Sequence, residues 1–79
     1  MADTKTVVVY TKRDCLQCDQ TKKVLERRGV PYREVSLEDN PQALAQVKAW
    51  GFRAAPIVDI GKDRWGGFRY DKLLALKGP

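Results

Sequence analysis

Thr6-Val7-Val8-Val9-Tyr10-Thr11-Lys12-Arg13-Asp14-Cys15-Leu16-Gln17-Cys18 sets two patterns back to back. Its first half is β-branched and aromatic throughout. A near-continuous apolar run of this length is what a strand covered on both faces presents, so Thr6 to Thr11 reads as a central strand. Lys12-Arg13-Asp14 breaks the run. From Leu16 to Arg28 the composition turns to helix formers, and Gly29 supplies a helix stop. The two cysteines therefore open a helix that directly follows a strand.

Working outward, Val30-Pro31-Tyr32-Arg33-Glu34-Val35-Ser36-Leu37 alternates apolar and polar after its proline, as a short strand does. Asn40-Pro41 offers a cap followed by a proline at the first helical position. Ala43, Leu44, Val47 and Trp50 then recur at helical spacing before Gly51. Ile57-Val58-Asp59-Ile60, a turn at Gly61-Lys62-Asp63, and Arg64-Trp65 read as a hairpin, and Tyr70 to Leu76 as a short closing helix. The order is β-α-β-α-β-β-α. Helical connections between the early strands imply parallel pairing, and the final hairpin is antiparallel. This is the α/β order of the thioredoxin fold in its minimal form, a four-stranded mixed sheet flanked by three helices. Trp50 and Phe52 are expected in the core or at its edge.

The chain has 79 residues, enough for one domain over 1–79 whose core buries roughly 60–65% of the unfolded surface. No apolar run approaches the roughly 18 residues that cross a bilayer. Met1-Ala2-Asp3-Thr4-Lys5 leads into the first strand without the apolar core of a signal peptide, so a cytoplasmic location without membrane attachment is expected. The 15 basic and 10 acidic residues give +5, but the basic ones occur as dispersed pairs interleaved with Asp14, Asp19 and Glu26. Nucleic-acid binding, which needs a contiguous basic patch, is disfavoured against a solvated surface or steering toward an acidic protein.

Cys15 and Cys18 are the only cysteines, and there is no histidine. A structural zinc site needs about four ligands, so no metal is expected. As a staple the pair would close so short a loop that it constrains the unfolded chain by only about 2 kcal/mol. A dithiol exchange site instead needs one exposed sulfur that readily becomes a thiolate and a second within reach to resolve the mixed disulfide. Positions i and i+3 at a helix start satisfy both demands. Cys15, at the helix mouth, meets unpaired N–H groups and the positive dipole end, which favour its thiolate; it is the nucleophile. Cys18, one turn further in, is the resolving cysteine. Lys12 and Arg13 would add to thiolate stabilisation and Asp14 and Asp19 oppose it; a merely solvated charge cluster fits the same residues.

Two further groups remain ambiguous when read alone. Pro56, in Ala54-Ala55-Pro56-Ile57-Val58, is either a strand-opening trans proline or a cis proline that leaves the preceding backbone free to hold a substrate. Trp65-Gly66-Gly67-Phe68 is either a contact surface, with bare backbone between two rings, or a pair of core aromatics.

Val-Tyr-Thr-Lys ahead of Cys-x-Gln-Cys, Ala-Pro-Ile-Val in mid-chain and Trp-Gly-Gly-Phe-Arg near the end resemble the NrdH redoxins, glutaredoxin-like proteins with thioredoxin-like activity. The resemblance runs from Val7 to about Leu76. It implies a monomeric electron carrier that takes electrons from thioredoxin reductase, hence only indirectly from NADPH, and has no bound cofactor of its own. The recipient it implies is the large subunit of class Ib ribonucleotide reductase. It also implies that Cys15 and Cys18 are the redox pair, that Pro56 is cis, and that Trp65, Gly66, Gly67, Phe68 and Arg69 shape the partner surface together with Lys12, Leu16, Gln17 and Ala55. Two positions depart from the family pattern: Gly66, where the family usually has Ser, and Tyr70, where it usually has Pro. The Gly66-Gly67 pair looks like that of glutaredoxins, in which a double glycine and a nearby Asp bind glutathione. That Asp would fall at Tyr70, and Leu16-Gln17 replaces the Pro-Tyr common in glutaredoxins. A glutathione-dependent glutaredoxin, or a module sharing an iron–sulfur cluster through Cys15, is the alternative.

Overall fold

The computed structural model describes residues 7–77; Thr6, expected to begin the first strand, lies outside them. Strand β1 (Val7–Thr11) is followed by helix α1 (Leu16–Arg27), β2 (Tyr32–Ser36), α2 (Pro41–Ala49), β3 (Ile57–Asp59), β4 (Arg64–Gly66) and α3 (Tyr70–Leu74). The strands form one mixed sheet in the order β2-β1-β3-β4. This is the expected thioredoxin-like arrangement, with β1 in the interior of the sheet.

The period-2 geometry of strands divides the core. Val7, Val9 and Val58 face Leu25 of α1 and Leu73 of α3, with Val30 and Trp65 in the same cluster. On the other face Ile57 meets Leu37 and Val47 of α2, and Tyr10, Trp50 and Phe52 pack around them half-buried. Trp50 and Phe52 thus stand at the core edge, as expected. Trp50 meets Tyr10 edge to face, with centroids 6.0 Å apart, and carries the Arg64 guanidinium 3.9 Å from its ring centre. Leu25, Ile57 and Leu73 are fully buried, each stabilising the fold by about 1.5–3 kcal/mol relative to exposure.

The helix ends follow from their caps. Gly29 takes the left-handed conformation, φ 67°, so that its N–H reaches Glu26 O at 3.1 Å and Val30 N–H reaches Leu25 O at 2.9 Å. This is a Schellman closure, and its customary apolar contact is the Val30–Leu25 pair in the core. Helix α2 starts on Asn40, whose Oδ1 accepts Ala43 N–H at 3.1 Å, and closes through Gly51 as α1 does through Gly29.

One expectation about strand direction needs correcting. β1 and β2 pair in parallel, but β3 runs antiparallel to β1, with Tyr10 opposite Ile57. The chain leaves β2 at Ser36 beside Thr11 and re-enters the sheet at Ile57 beside Tyr10, so α2 and the loop after it go out and return to the same end. A connection that starts and finishes at one end reverses the strand. The strand expected over 30–37 is confined to Tyr32–Ser36, because the Val30 N–H is committed to α1 and Pro31 has none to give. α3 ends at Leu74 rather than Leu76, where the Arg28 guanidinium bonds the Leu74 carbonyl at 2.9 Å. Among the described residues no helix is long and apolar enough to cross a membrane.

Candidate active site

The end of β1 delivers the chain into a three-residue turn, Lys12-Arg13-Asp14, before α1 begins. Arg13 anchors the turn: its N–H and its guanidinium both bond Glu38, at 3.0 and 3.2 Å. Asp14 takes φ 52°, a conformation that Asp tolerates better than most side chains. Cys15 is the N-cap of α1 in extended conformation, and its Sγ accepts Cys18 N–H at 3.1 Å, where an N-cap oxygen would ordinarily sit. Cys15 and Cys18 are joined by a disulfide with Cα atoms 5.2 Å apart. The two sulfurs are unequal. Cys15 is half-buried, whereas Cys18 is 1% exposed and sits on the buried face of α1 with Thr21 and Leu25. Once the disulfide opens, negative charge on Cys15 meets an N–H donor and the unpaired amides of the helix start.

At the end of β1 lies a polar network with no signal in the sequence beyond the burial rhythm of Val7, Val9 and Thr11. The buried Thr11 hydroxyl donates to Glu34 Oε2 at 2.8 Å, and Lys22 Nζ reaches the same oxygen at 3.1 Å. The Thr11 hydrogen bond is the largest single influence holding the Glu34 carboxyl below the usual range; burial opposes it, and Lys22 acts in the same direction as Thr11 through its hydrogen bond and its charge. The network ties β1, β2 and α1 together. Within α1, the buried Thr21 hydroxyl bonds Gln17 O at 2.8 Å.

The Ala55–Pro56 peptide is cis, and Pro56 is buried. Because Ile57 pairs with Tyr10, the proline lies at the end of the sheet from which the chain runs on to Cys15. Pro56 O accepts Gly67 N–H at 2.8 Å, and the next amide, Phe68 N–H, donates to Gln17 Oε1 at 3.2 Å. These bonds join the cysteine helix, the proline loop and the double-glycine segment, which are far apart in sequence.

The remaining candidates are placed unevenly. Leu16 is 72% exposed beside Cys15. Lys12 and Ala55 line one cleft of about 240 Å³ with Leu37, Leu44, Val47 and Phe52. Trp65 is a core residue, its side chain buried, so a direct contact surface from 65–69 reduces to Gly66, Gly67, Phe68 and Arg69. A β4 of three residues is too short for alternation to reveal which way its tryptophan points. The Arg69 guanidinium is engaged by both carboxylate oxygens of Asp71, at 3.1 and 2.9 Å. Tyr70 is exposed, with its ring centroid 6.1 Å from that of Phe68.

The Glutaredoxin family model matches residues 7–65. The glutaredoxin-like protein NrdH of Escherichia coli (strain K12) is 37% identical over 70 residues, covering 89% of this chain and 86% of that protein. The chain belongs to the NrdH redoxins, within the glutaredoxin family. The NrdH of Lactococcus lactis subsp. cremoris (strain MG1363) matches this redoxin at 34% identity, over 89% of the chain and 97% of the relative. The solved structure of the E. coli NrdH-redoxin, described for its thioredoxin-like activity profile, superposes with a TM-score of 0.89 at 35% identity, covering 94% of this chain and 97% of that one. This redoxin is accordingly a thiol–disulfide oxidoreductase whose electrons are held in a cysteine pair, chemistry that needs no bound cofactor.

Proposed function

We propose that this redoxin is a cytoplasmic, monomeric electron carrier that is reduced by thioredoxin reductase and passes electrons to the large subunit of class Ib ribonucleotide reductase. NADPH enters only through the reductase. Cys15 and Cys18 carry the chemistry. In the donating half-cycle the Cys15 thiolate attacks one sulfur of the partner's disulfide, forming a mixed disulfide and expelling the partner's other sulfur as a thiolate. Cys18 then gives its proton to solvent and attacks Cys15 Sγ, which releases the partner's second thiolate. The partner gains two electrons as its disulfide becomes a dithiol, and the Cys15–Cys18 bond re-forms. Lys12, Leu16, Gln17 and Ala55 form the surface that receives the partner, along with Gly66 to Arg69, over the buried cis Pro56 that shapes it from beneath, and the cleft lined by Leu44 and Phe52 accepts an apolar side chain.

The observation that carries the choice of reductase is the surface at 68–71. Tyr70 presents a ring beside Phe68 where the glutaredoxin pattern places an acidic partner for glutathione, and the neighbouring carboxylate of Asp71 is engaged by Arg69. That surface suits a protein better than a charged tripeptide. The test is to follow NADPH oxidation by the oxidised protein with thioredoxin reductase, and separately with glutathione plus glutathione reductase. Turnover is expected with the first; turnover with the second alone refutes the proposal.

A further inference from the structure

The Gly67-Phe68 stretch offers two successive backbone donors, and the molecule uses them on opposite walls of the site. Gly67 N–H goes to the carbonyl of Pro56, and Phe68 N–H goes to the side chain of Gln17. The second is the unusual one. Gln17 is an exposed residue between the two cysteines, and its carboxamide crosses 51 positions of sequence to accept the bond. Its own backbone is fixed from beneath, because the buried Thr21 hydroxyl holds Gln17 O at 2.8 Å. The carboxamide also lies close against Gly67, where a Cβ would sit 3.7 Å from Oε1. A long exposed side chain loses rotamer freedom in such an arrangement, and nothing in helix formation requires it.

We infer that Gln17 is a positioning residue: by accepting the Phe68 amide it holds the 66–68 segment at a fixed height beside the disulfide, and so sets how well a protein partner fits without taking part in the exchange itself. This rests on the reading of the site as one that docks proteins. A neutral hydrogen bond of this kind alters an equilibrium by roughly fivefold. The effect falls on partner binding, since Cys15 and Cys18 keep their own geometry through Cys18 N–H and the helix. A small disulfide, which does not reach Phe68, is indifferent to it.

The test compares Gln17→Met, which keeps length and helix propensity but loses the acceptor, with Gln17→Glu, which keeps an oxygen at the same reach. Each reduced variant reacts with insulin as protein disulfide and with bis(2-hydroxyethyl) disulfide as small neutral disulfide. Taking the second rate as the internal reference removes any effect of the glutamate charge on Cys15. Amide hydrogen exchange at Gly67 and Phe68 is followed by NMR. For Gln17→Met the expected result is Phe68 exchange faster by roughly fivefold or more with Gly67 unchanged. The same variant's KM for insulin, taken relative to its rate with the small disulfide, should rise roughly fivefold, with the change falling on KM rather than kcat. Gln17→Glu should restore both. Unchanged exchange at Phe68, or faster exchange with an unaltered KM, overturns the inference. If the unmodified protein does not reduce insulin at all, the protein-docking reading falls, and the positioning role falls with it.

Discussion

Gly66 and Gly67 are adjacent, yet substituting them tests different physics. Gly67 has φ 81°, and a Cβ placed on it would meet only Gln17 Oε1, at an ordinary 3.7 Å. Its constraint is therefore conformational. Gly66 lies in β4 without a left-handed φ, but a Cβ there would sit 3.2 Å from Phe52 Cδ1; its constraint is space. An alanine at 67 must hold a left-handed conformation that costs about 1–2 kcal/mol. Reduced freedom of the unfolded chain returns about 0.4–1 kcal/mol of that. The net loss is about 1 kcal/mol, or roughly 4–8 °C in Tm for a domain of this size. At 66 the Phe52 ring must give by a few tenths of an ångström, and it is only half-buried. Alanine also suits a strand better than glycine by about 0.5–1 kcal/mol, so Gly66→Ala should fall within about 0.5 kcal/mol of the parent. Thermal unfolding of the oxidised proteins, followed by circular dichroism at one pH and concentration, measures both. The reasoning is refuted if Gly67→Ala melts with the parent, or if Gly66→Ala is the less stable of the two.

Three other outcomes follow from the same structure. Cys15→Ser should abolish disulfide reduction, whereas Cys18→Ser should accumulate covalent complexes with partner disulfides, visible as dithiothreitol-sensitive bands on non-reducing gels; full activity of Cys18→Ser would remove the resolving role. The Glu34 carboxyl is held below its ordinary value of 4.5, chiefly by the Thr11 hydroxyl. Its stabilising effect is therefore present above that pH and lost as pH falls through the lowered value. Glu34→Gln should flatten the acid limb of the stability curve in urea titrations below pH 4.5, and an unchanged limb would contradict this. Leu25→Ala, at a fully buried position shared by α1 and the sheet, should cost about 2–5 kcal/mol in urea unfolding of the oxidised protein; a loss below about 1 kcal/mol would mean that the site collapses around the cavity.

What could be read from the sequence was what is decided locally. The change from β-branched run to helix formers across Thr11 and Leu16 fixes both elements and puts Cys15 at a helix mouth, because period and capping are properties of neighbouring residues. Gly29 and Gly51 end their helices for the same reason. The direction of β3 is not legible in the sequence because a connection's composition does not reveal the end of the sheet to which it returns. The Thr11–Glu34, Arg28–Leu74 and Gln17–Phe68 bonds were invisible because each depends on side-chain reach across a finished fold. Trp65 is the instructive intermediate. The motif around it signalled importance, and the ring is important, but as core rather than as contact surface.

That placement alters how the double glycine should be understood. A buried Trp65 anchors the N-terminal side of the segment and α3 begins just beyond it, so Gly66-Gly67-Phe68 is a short span between the core and a helix. A span so held does not need side chains to keep its shape. Hydrogen bonds from its own amides to Pro56 and Gln17 suffice, and the absence of a Cβ at Gly66 leaves room for the Phe52 ring packed beside it. The glycine pair is thus compatible with glutathione but does not specify it. Glutathione, on the proposed reading, lacks a carboxylate partner where Tyr70 stands, a position that carries an aromatic ring beside Phe68. On the proposed reading, these two rings give the site its preference for a broad apolar partner surface, while the chemistry at Cys15 is common to both kinds of substrate.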